Sequence, residues 1–166
     1  MMIKWIKEKI PAGSTILEIG SGEGTKLLLD AGYNVISIEN DPEYYGKYHD
    51  NYILAPIIGG WYDHEAIAYG LYGRKYDLII VDGPKGSKLR GGFYKHRDIF
   101  SHSVPILIDD TVRAVENAMA LDFEKAGFSR KRIKDGTKSF DVLIPEKLII
   151  RCIKTGEIKW ESIKSF

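Results

Sequence analysis

A strand that runs into closely spaced glycines constrains the fold of this chain more than any other feature. The apolar run over residues 15–19 leads into Gly20, Gly22 and Gly24, and a helical pattern follows. Glycine lets the backbone turn sharply and lets a ligand approach main-chain N–H groups that a Cβ atom would shield. The pattern predicts a parallel α/β sheet with a nucleotide-like ligand bound at the turn after its first strand.

The length and composition predict one domain and exclude several classes of protein. A chain of 166 residues can build a substantial core over residues 1–166 but leaves no room for a separate substrate domain. Its 24 Lys and Arg nearly balance 23 Asp and Glu, so we expect no general attraction for nucleic acid. The single cysteine, Cys152, excludes an intramolecular disulfide and a cysteine-rich zinc site. Without a secretory signal or an apolar run of membrane-spanning length, the sequence predicts a cytoplasmic protein.

Five runs rich in Ile, Val, Leu and Tyr predict the strands of the sheet. Their nearly continuous apolar character is typical of parallel strands that are buried on both faces. Helical patterns separate these runs, and the alternation predicts a three-layer, doubly wound α/β fold. We expect strands at residues 15–19, 34–39, 52–55, 76–82 and 104–109, and helices at residues 26–31, 42–49, 63–72 and 112–126.

The two ends of the chain carry different patterns. Residues 1–11 predict a short amphipathic helix that ends before Pro11, and residues 12–145 form the predicted core domain. Near the end of that domain, Asp135-Gly136 is a hairpin signal that predicts an antiparallel edge on the mostly parallel sheet. Residues 146–166 predict a second hairpin or an extension, and the tail from Trp160 to Phe166 is a candidate homodimer contact.

The ends of the predicted strands carry acidic residues. Ligands of open α/β sheets bind outside the carboxyl ends of the strands, where the winding reverses. Glu39 ends the second strand, 19 positions after Gly20, and a carboxylate there can accept the hydroxyl hydrogens of a ribose. Asp82, Asp109 and Asp110 end the fourth and fifth strands. We therefore expect these side chains at one edge of the sheet.

Two features distinguish the glycine turn from a dinucleotide-binding fingerprint. Position 25 is threonine where that fingerprint has its third glycine, and Glu18 would repel a pyrophosphate but suit a cationic amine. Over residues 12–145 the chain resembles the class I S-adenosylmethionine-dependent methyltransferases, which have a Rossmann-like fold. An NAD-dependent oxidoreductase and a non-catalytic cofactor-binding module are the alternatives.

This resemblance implies a set of cofactor-binding residues. Asp82 would face the transferred methyl group, and Glu39 would bind the ribose. Trp61 and Tyr62 follow the third strand and offer flat faces that can stack on the adenine or on a sugar ring; the alternative is that they anchor the next helix. The remaining members of the set are Glu18, Gly20, Ser21 and Gly22 for the methionine part and Asn40 near the adenine.

The turn after the fourth strand points to the chemistry at the acceptor. An acid that ends this strand, a lysine three residues later and an acidic pair after the fifth strand are similar to the metal-assisted, catechol-type O-methyltransferases. This resemblance implies that Asp82, Lys85 and Asp110 are catalytic. It also implies that Asp82, Asp109 and Asp110 hold Mg²⁺ or another divalent cation, which would relieve the repulsion among three carboxylates.

A second resemblance concerns the acceptor. Arg90, Arg113 and Glu116 accompany the acidic residues in fragments that resemble the plant glucuronoxylan O-methyltransferase family. This resemblance implies a small-molecule or carbohydrate-like hydroxyl as the methyl acceptor. In the alternative interpretation, Lys85 and the two arginines neutralise the aspartates without a metal, and Asp110 is only the N-cap of the following helix.

Two basic stretches have more than one interpretation. Residues 87–97 contain Gly91-Gly92 as a candidate hinge. They predict either a mobile flap that brings Lys88, Arg90 or His96 to an anionic acceptor, or a solvated basic loop. The second stretch, residues 125–134, is explained by alternation on an edge strand without any RNA partner.

Overall fold

The computed structural model describes residues 1–147, with the exception of the side chain of Ser87. The predicted C-terminal hairpin, Cys152 and the candidate dimer contact from Trp160 to Phe166 lie outside the described residues. Within the described part of the chain, no helix combines the length and the apolar character that crossing a membrane requires.

Nine strands form one large sheet and one small sheet. In chain order they are β1 (Thr15–Ile19), β2 (Asn34–Glu39), β3 (Tyr52–Leu54), β4 (Ile57–Ile58), β5 (Trp61–Tyr62), β6 (Leu78–Val81), β7 (Ile106–Asp109), β8 (Phe128–Asp135) and β9 (Lys138–Pro145), all within residues 1–147. The large sheet has seven strands in the order β3-β2-β1-β6-β7-β9-β8, and β4 pairs with β5 in the small one.

The order of the strands reverses its direction at β1. Strand β1 pairs in parallel with β2 on one side and with β6 on the other. Strands β3 and β7 extend the parallel part, whereas β9 is antiparallel to both β7 and β8. The structure confirms the predicted doubly wound α/β sheet with an antiparallel edge. The small sheet of β4 and β5 was not predicted.

Six helices of the described chain cover the two faces of the large sheet. They are α1 (Met2–Lys9), α2 (Glu23–Asp30), α3 (His64–Leu71), α4 (Ser87–Arg90), α5 (Gly92–Lys95) and α6 (Ala114–Lys125), and a 3-10 turn at Arg97–Ile99 follows α5. The predicted N-terminal helix and the predicted helix before Gly127 are confirmed as α1 and α6.

The core lies on both sides of the sheet, because successive residues of a strand face opposite ways. On one face the strands pack against α1 and α2, around Trp5 and Leu28. On the other face they pack against α3, α5 and α6, around Trp61, Phe93 and Phe123. Burial on two faces explains why the strands read as nearly continuous apolar runs.

The prediction of a helix at residues 42–49 is wrong. The segment after β2 consists of turns, in which the backbone N–H of Tyr45 donates to the carbonyl of Asp41 at 2.9 Å. Gly46 then adopts a φ of +74°, in the left-handed region, and this conformation ends any α-helical winding. The chain that follows the carboxyl end of β2 is therefore a loop.

Candidate active site

The turns that follow β1 and β6 lie directly against each other. A Cβ atom added to Gly20 would lie 2.5 Å from the Cα atom of Gly83, and a Cβ atom added to Gly83 would lie 2.5 Å from the Cα atom of Gly20. Gly20 also has a φ of +89°, which side chains rarely adopt. The predicted close approach at Gly20 is thus made by the backbone of a second turn. Sequence reasoning missed Gly83 as its partner, because nothing in the chain order shows that these turns meet.

Gly22 has a different environment from Gly20. It precedes the first residue of α2 in an extended conformation with a φ of −173°, and a Cβ atom there would meet nothing within 4 Å. Packing within the described chain therefore does not require glycine at this position. Its missing side chain leaves space beside the start of α2, which suits the approach of a ligand to main-chain N–H groups.

Glu39 ties the glycine turn to the end of β2. One carboxylate oxygen accepts a hydrogen bond from the backbone N–H of Ser21 at 2.8 Å. The other accepts from the backbone N–H groups of Asn40 and Asp41, at 2.7 and 2.8 Å. A carboxylate offers about four acceptor positions, so one remains for a ribose hydroxyl. The structure brings together Glu39, Ser21 and Asn40, and their predicted contacts with a cofactor stay a prediction.

Glu18 lies behind the glycine turn rather than on its open side. Its side chain is buried, and one of its oxygens accepts hydrogen bonds from the hydroxyl groups of Thr25 and Ser37, at 2.8 and 2.9 Å. Burial is the main reason why the pKa of Glu18 is raised to about 8, and the negative charges of Asp82 and Glu39 act in the same direction. The predicted contact between Glu18 and a cationic amine stays a prediction.

The three predicted acidic residues form one cluster at the ends of β6 and β7. Asp82, Asp109 and Asp110 each offer a carboxylate oxygen, and these atoms lie within 4.8 Å of one another. Desolvation and the charge of Asp109 raise the pKa of Asp82 to about 6. Desolvation likewise raises the pKa of Asp109. Hard oxygen ligands in such a group suit Mg²⁺ or a similar cation.

A buried arginine stands behind the cluster. The side chain of Arg90 is 6% exposed, and its guanidinium lies 3.2 Å from the carboxylate of Asp82 and 3.4 Å from that of Asp110. It also donates to the backbone carbonyl of Asp82 and lies 3.6 Å from the buried carboxylate of Glu116. This inward position means that the predicted role of Arg90 in reaching an anionic acceptor is wrong.

The turn around Asp110 differs from a helix cap. Asp110 has a φ of +57°, an uncommon conformation for a residue other than glycine. Its carboxylate lies 2.9 Å from the guanidinium of Arg113, and α6 begins only at Ala114. Asp110 is therefore not the N-cap of α6, contrary to the alternative interpretation. Lys85 is exposed in the turn after β6, on the chain that leads away from Asp82.

Trp61 and Tyr62 are anchors of the core. Both residues are 1% exposed. The ring of Trp61 stacks on that of His96, with centroids 4.9 Å apart and an angle of 7° between the planes. A Cβ atom on Gly92 would lie 2.5 Å from the same ring. The predicted stacking of these aromatic residues on an adenine or a sugar is therefore wrong in this structure, because neither offers a free face.

The predicted flap is packed into the molecule. Phe93 of α5 is fully buried, and His96 lies against Trp61 with its Nδ1 atom 3.3 Å from Nδ1 of His64. Lys88 is the exposed member of the set that was expected to reach the acceptor. Neither a solvated loop nor an open flap describes this segment, because its apolar residues complete the core beside α6.

The second basic stretch is also accounted for by its neighbours. Arg130 and Arg132 lie two residues apart on the edge strand β8, and both form ion pairs with the fully buried Asp141 of β9, at 2.6 and 2.7 Å. Thr111 donates a further hydrogen bond to this carboxylate at 2.9 Å. This buried network gives the two arginines a structural role.

Comparisons with known proteins support the fold through structure and not through sequence. No protein-family model matches the chain, and no curated protein matches its sequence. A Staphylococcus aureus protein provisionally named a caffeoyl-CoA O-methyltransferase shares 13% identity with a TM-score of 0.58, over 86% of this chain and 82% of that protein.

Two further solved structures are similar. A Podospora anserina methyltransferase with bound S-adenosylhomocysteine shares 15% identity with a TM-score of 0.57, over 85% of this chain and 75% of that one. The methyltransferase MycE of the mycinamycin biosynthetic pathway, solved with Mg and S-adenosylhomocysteine, shares 10% identity with a TM-score of 0.56, over 87% of this chain and 45% of that one. At these identities the similarity shows the Rossmann-like methyltransferase fold.

Proposed function

We propose that this protein transfers the methyl group of S-adenosylmethionine to a hydroxyl oxygen of a small or carbohydrate-like acceptor. The observation that carries the proposal is the meeting of two groups of residues at the carboxyl ends of neighbouring strands. The glycine turn and Glu39 lie at the ends of β1 and β2, and the acidic cluster of Asp82, Asp109 and Asp110 lies at the ends of β6 and β7. Ligands of this fold bind at that edge.

The cofactor side consists of the glycine turn and Glu39. The open space at Gly22 would admit the cofactor to the main chain at the start of α2, and Glu39 has one acceptor position left for a ribose hydroxyl. Ser21 and Asn40, whose backbone N–H groups Glu39 holds, would line the same side. When bound, S-adenosylmethionine supplies a methyl group that an oxygen nucleophile can attack.

The acceptor side consists of the acidic cluster and Lys85. The carboxylates of Asp82, Asp109 and Asp110 would hold Mg²⁺ or another divalent cation, which lowers the pKa of a bound hydroxyl. Arg90 and Arg113 offset part of the negative charge and orient Asp82 and Asp110. As the new carbon–oxygen bond forms, the bond between the methyl carbon and the sulfonium sulfur breaks, and its electron pair stays on the sulfur of S-adenosylhomocysteine. The hydroxyl proton passes to the carboxylate of Asp82 or to Lys85 in its neutral amine form, and most of the rate enhancement comes from the alignment of the reactants.

Calorimetric titration with S-adenosylmethionine, S-adenosylhomocysteine and NAD tests the cofactor. We expect the first two to bind and NAD not to bind, because Glu18 and Thr25 depart from the dinucleotide fingerprint. Binding of NAD alone would support the alternative of an oxidoreductase. Binding of S-adenosylmethionine without turnover on any acceptor would support a non-catalytic binding module.

Substitution of Asp82 tests the acceptor side. With Mg²⁺, Mn²⁺ or Co²⁺ present, a panel of uronic acids and catechols identifies an acceptor by methyl transfer. We expect Asp82→Asn to lower turnover by about 100-fold or more while the affinity for S-adenosylhomocysteine changes little. Glu65→Gln, which alters an exposed residue of α3, is the control with ordinary turnover. An equal loss of turnover and of cofactor affinity in Asp82→Asn would contradict the role of Asp82 in the chemistry.

A further inference from the structure

Two chains of hydrogen bonds converge on one oxygen of the buried Glu18. In the first chain, the Thr25 hydroxyl lies 2.8 Å from Glu18, the Ser21 hydroxyl lies 2.9 Å from Thr25, and the Tyr52 hydroxyl lies 2.8 Å from Ser21. The first chain thus passes through the glycine turn. It connects that turn to Tyr52 on the edge strand β3.

The second chain reaches the same oxygen from β2. The Ser37 hydroxyl donates to Glu18 at 2.9 Å, and Nε2 of His49 lies 3.0 Å from that hydroxyl. The backbone N–H of Asn51 donates to Nδ1 of His49 at 3.0 Å. Because Nδ1 accepts this bond, the ring hydrogen of a neutral His49 is on Nε2, and His49 donates to Ser37.

The direction of every bond in the two chains can be assigned. A hydroxyl group has one hydrogen, and Thr25 and Ser37 both donate theirs to Glu18. Ser21 must therefore donate to Thr25, and Tyr52 must donate to Ser21. The rings of His49 and Tyr52 stack at 4.3 Å, so the outer ends of the chains meet. All donors point towards Glu18.

Glu18 is therefore subject to opposing effects. The converging donors stabilise its ionised form, whereas burial and the neighbouring carboxylates of Glu39 and Asp82 stabilise its protonated form. The balance raises the pKa of Glu18 to about 8, which favours the protonated form at pH 7. Both donors contact the same oxygen, which leaves the other oxygen for the proton. A nearby positive charge would favour ionisation.

We propose that Glu18 carries a proton in the ligand-free protein and releases it when S-adenosylmethionine binds at the glycine turn. This inference rests on the proposed function, which brings a cationic amine and a sulfonium to the edge of the sheet where Glu18, Glu39 and Asp82 are neighbours. The O–H bond of the carboxylic acid breaks, the electron pair stays on Glu18, and the proton passes to the solvent. Cofactor binding is then linked to pH through one buried carboxyl group.

Calorimetry in buffers with different ionisation enthalpies measures the protons released on binding. At pH 7 we expect the wild-type protein to release more protons than Glu18→Gln, by up to about one per molecule, because the variant has no ionisable group at this position. The amino group of the free cofactor, with a pKa of about 8, is already mostly protonated at pH 7, so it adds little to this difference. Between pH 6 and pH 8, the wild-type affinity should rise relative to the variant by up to about tenfold per pH unit. Glu65→Gln, at an exposed position of α3, should behave as the wild type.

A second variant keeps the test decisive if Glu18→Gln does not fold. Ser37→Ala removes one donor to the ionised carboxylate and should raise the pKa of Glu18, so more protons should be released at pH 8 than in the wild type. Binding of S-adenosylmethionine to the wild type without proton release at pH 7 would overturn this inference and leave the proposed function standing. Absence of any binding would overturn the proposed function itself.

Discussion

Glycine occurs at different positions of this protein for different physical reasons. Gly20 is required because another backbone lies against it and because its φ is +89°. Gly83 is required for the same contact, although it belongs to a different turn. Gly22 has open space around it, so packing does not require glycine there, and its proposed role is to admit the cofactor. The spacing of glycines in a sequence cannot separate these reasons, because each depends on what lies opposite in space.

Alanine substitutions separate the two kinds of glycine. In Gly83→Ala the new Cβ atom would lie 2.5 Å from Gly20 Cα and 2.6 Å from the Tyr62 hydroxyl, so we expect the free energy of unfolding to fall by about 2 kcal/mol. Gly22→Ala should change it by less than about 0.5 kcal/mol but weaken cofactor binding. Urea denaturation and calorimetry measure the two effects. Equal stability of both variants would contradict the packing of the two turns.

The segment from α4 to α5 shows how an element can be misjudged from composition. Its lysines and arginines suggest exposure, yet Phe93 is fully buried and Arg90 nearly so. A buried arginine cannot be recognised from sequence, because its acidic partners Asp82, Asp110 and Glu116 come from other elements. The long helix α6 was predictable, since its apolar spacing and its terminating Gly127 are local signals.

Replacement of Arg90 tests how this segment is held. In Arg90→Met the buried carboxylate of Glu116 loses its closest ion-pair partner, 3.6 Å away, so we expect the free energy of unfolding to fall by about 3 to 5 kcal/mol. The double variant with Glu116→Gln should recover part of this loss, because the buried negative charge is then removed. Lys88→Met, two residues away on the same short helix, should differ from the wild type by less than about 0.5 kcal/mol. A similar stability of Arg90→Met and Lys88→Met would contradict the anchoring role.

At the scale of the whole molecule, the fold was more predictable than the site. The apolar runs of the parallel strands and the Asp135-Gly136 hairpin signal were sufficient for the sheet, because periodicity and turn chemistry act within short segments. The edge at which the acidic residues gather also followed from topology, since the ends of parallel strands meet there. The burial of Trp61 and the inward position of Arg90 depend on contacts between distant segments. The helix expected at residues 42–49 is absent for a local reason, the left-handed conformation of Gly46.

Substitutions of Trp5 test how much the packing of the N-terminal helix α1 contributes to stability. Trp5 of α1 is 7% exposed and meets the ring of Phe140 edge to face, with centroids 6.3 Å apart. We expect Trp5→Ala to lower the free energy of unfolding by about 3 kcal/mol or more in chemical denaturation. Its indole N–H has no hydrogen-bond partner among residues 1–147, so Trp5→Phe should cost much less. Equal losses in the two variants would contradict the dominance of ring packing.

The contact between Gly20 and Gly83 has a consequence for protein engineering. A transplanted acceptor turn that carries any side chain at the position of Gly83 would push on the cofactor turn, because the two main chains already touch. A transplanted turn after β6 therefore has to keep glycine at position 83, whatever its other residues are. Variation of this turn is limited to the positions that do not lie against Gly20.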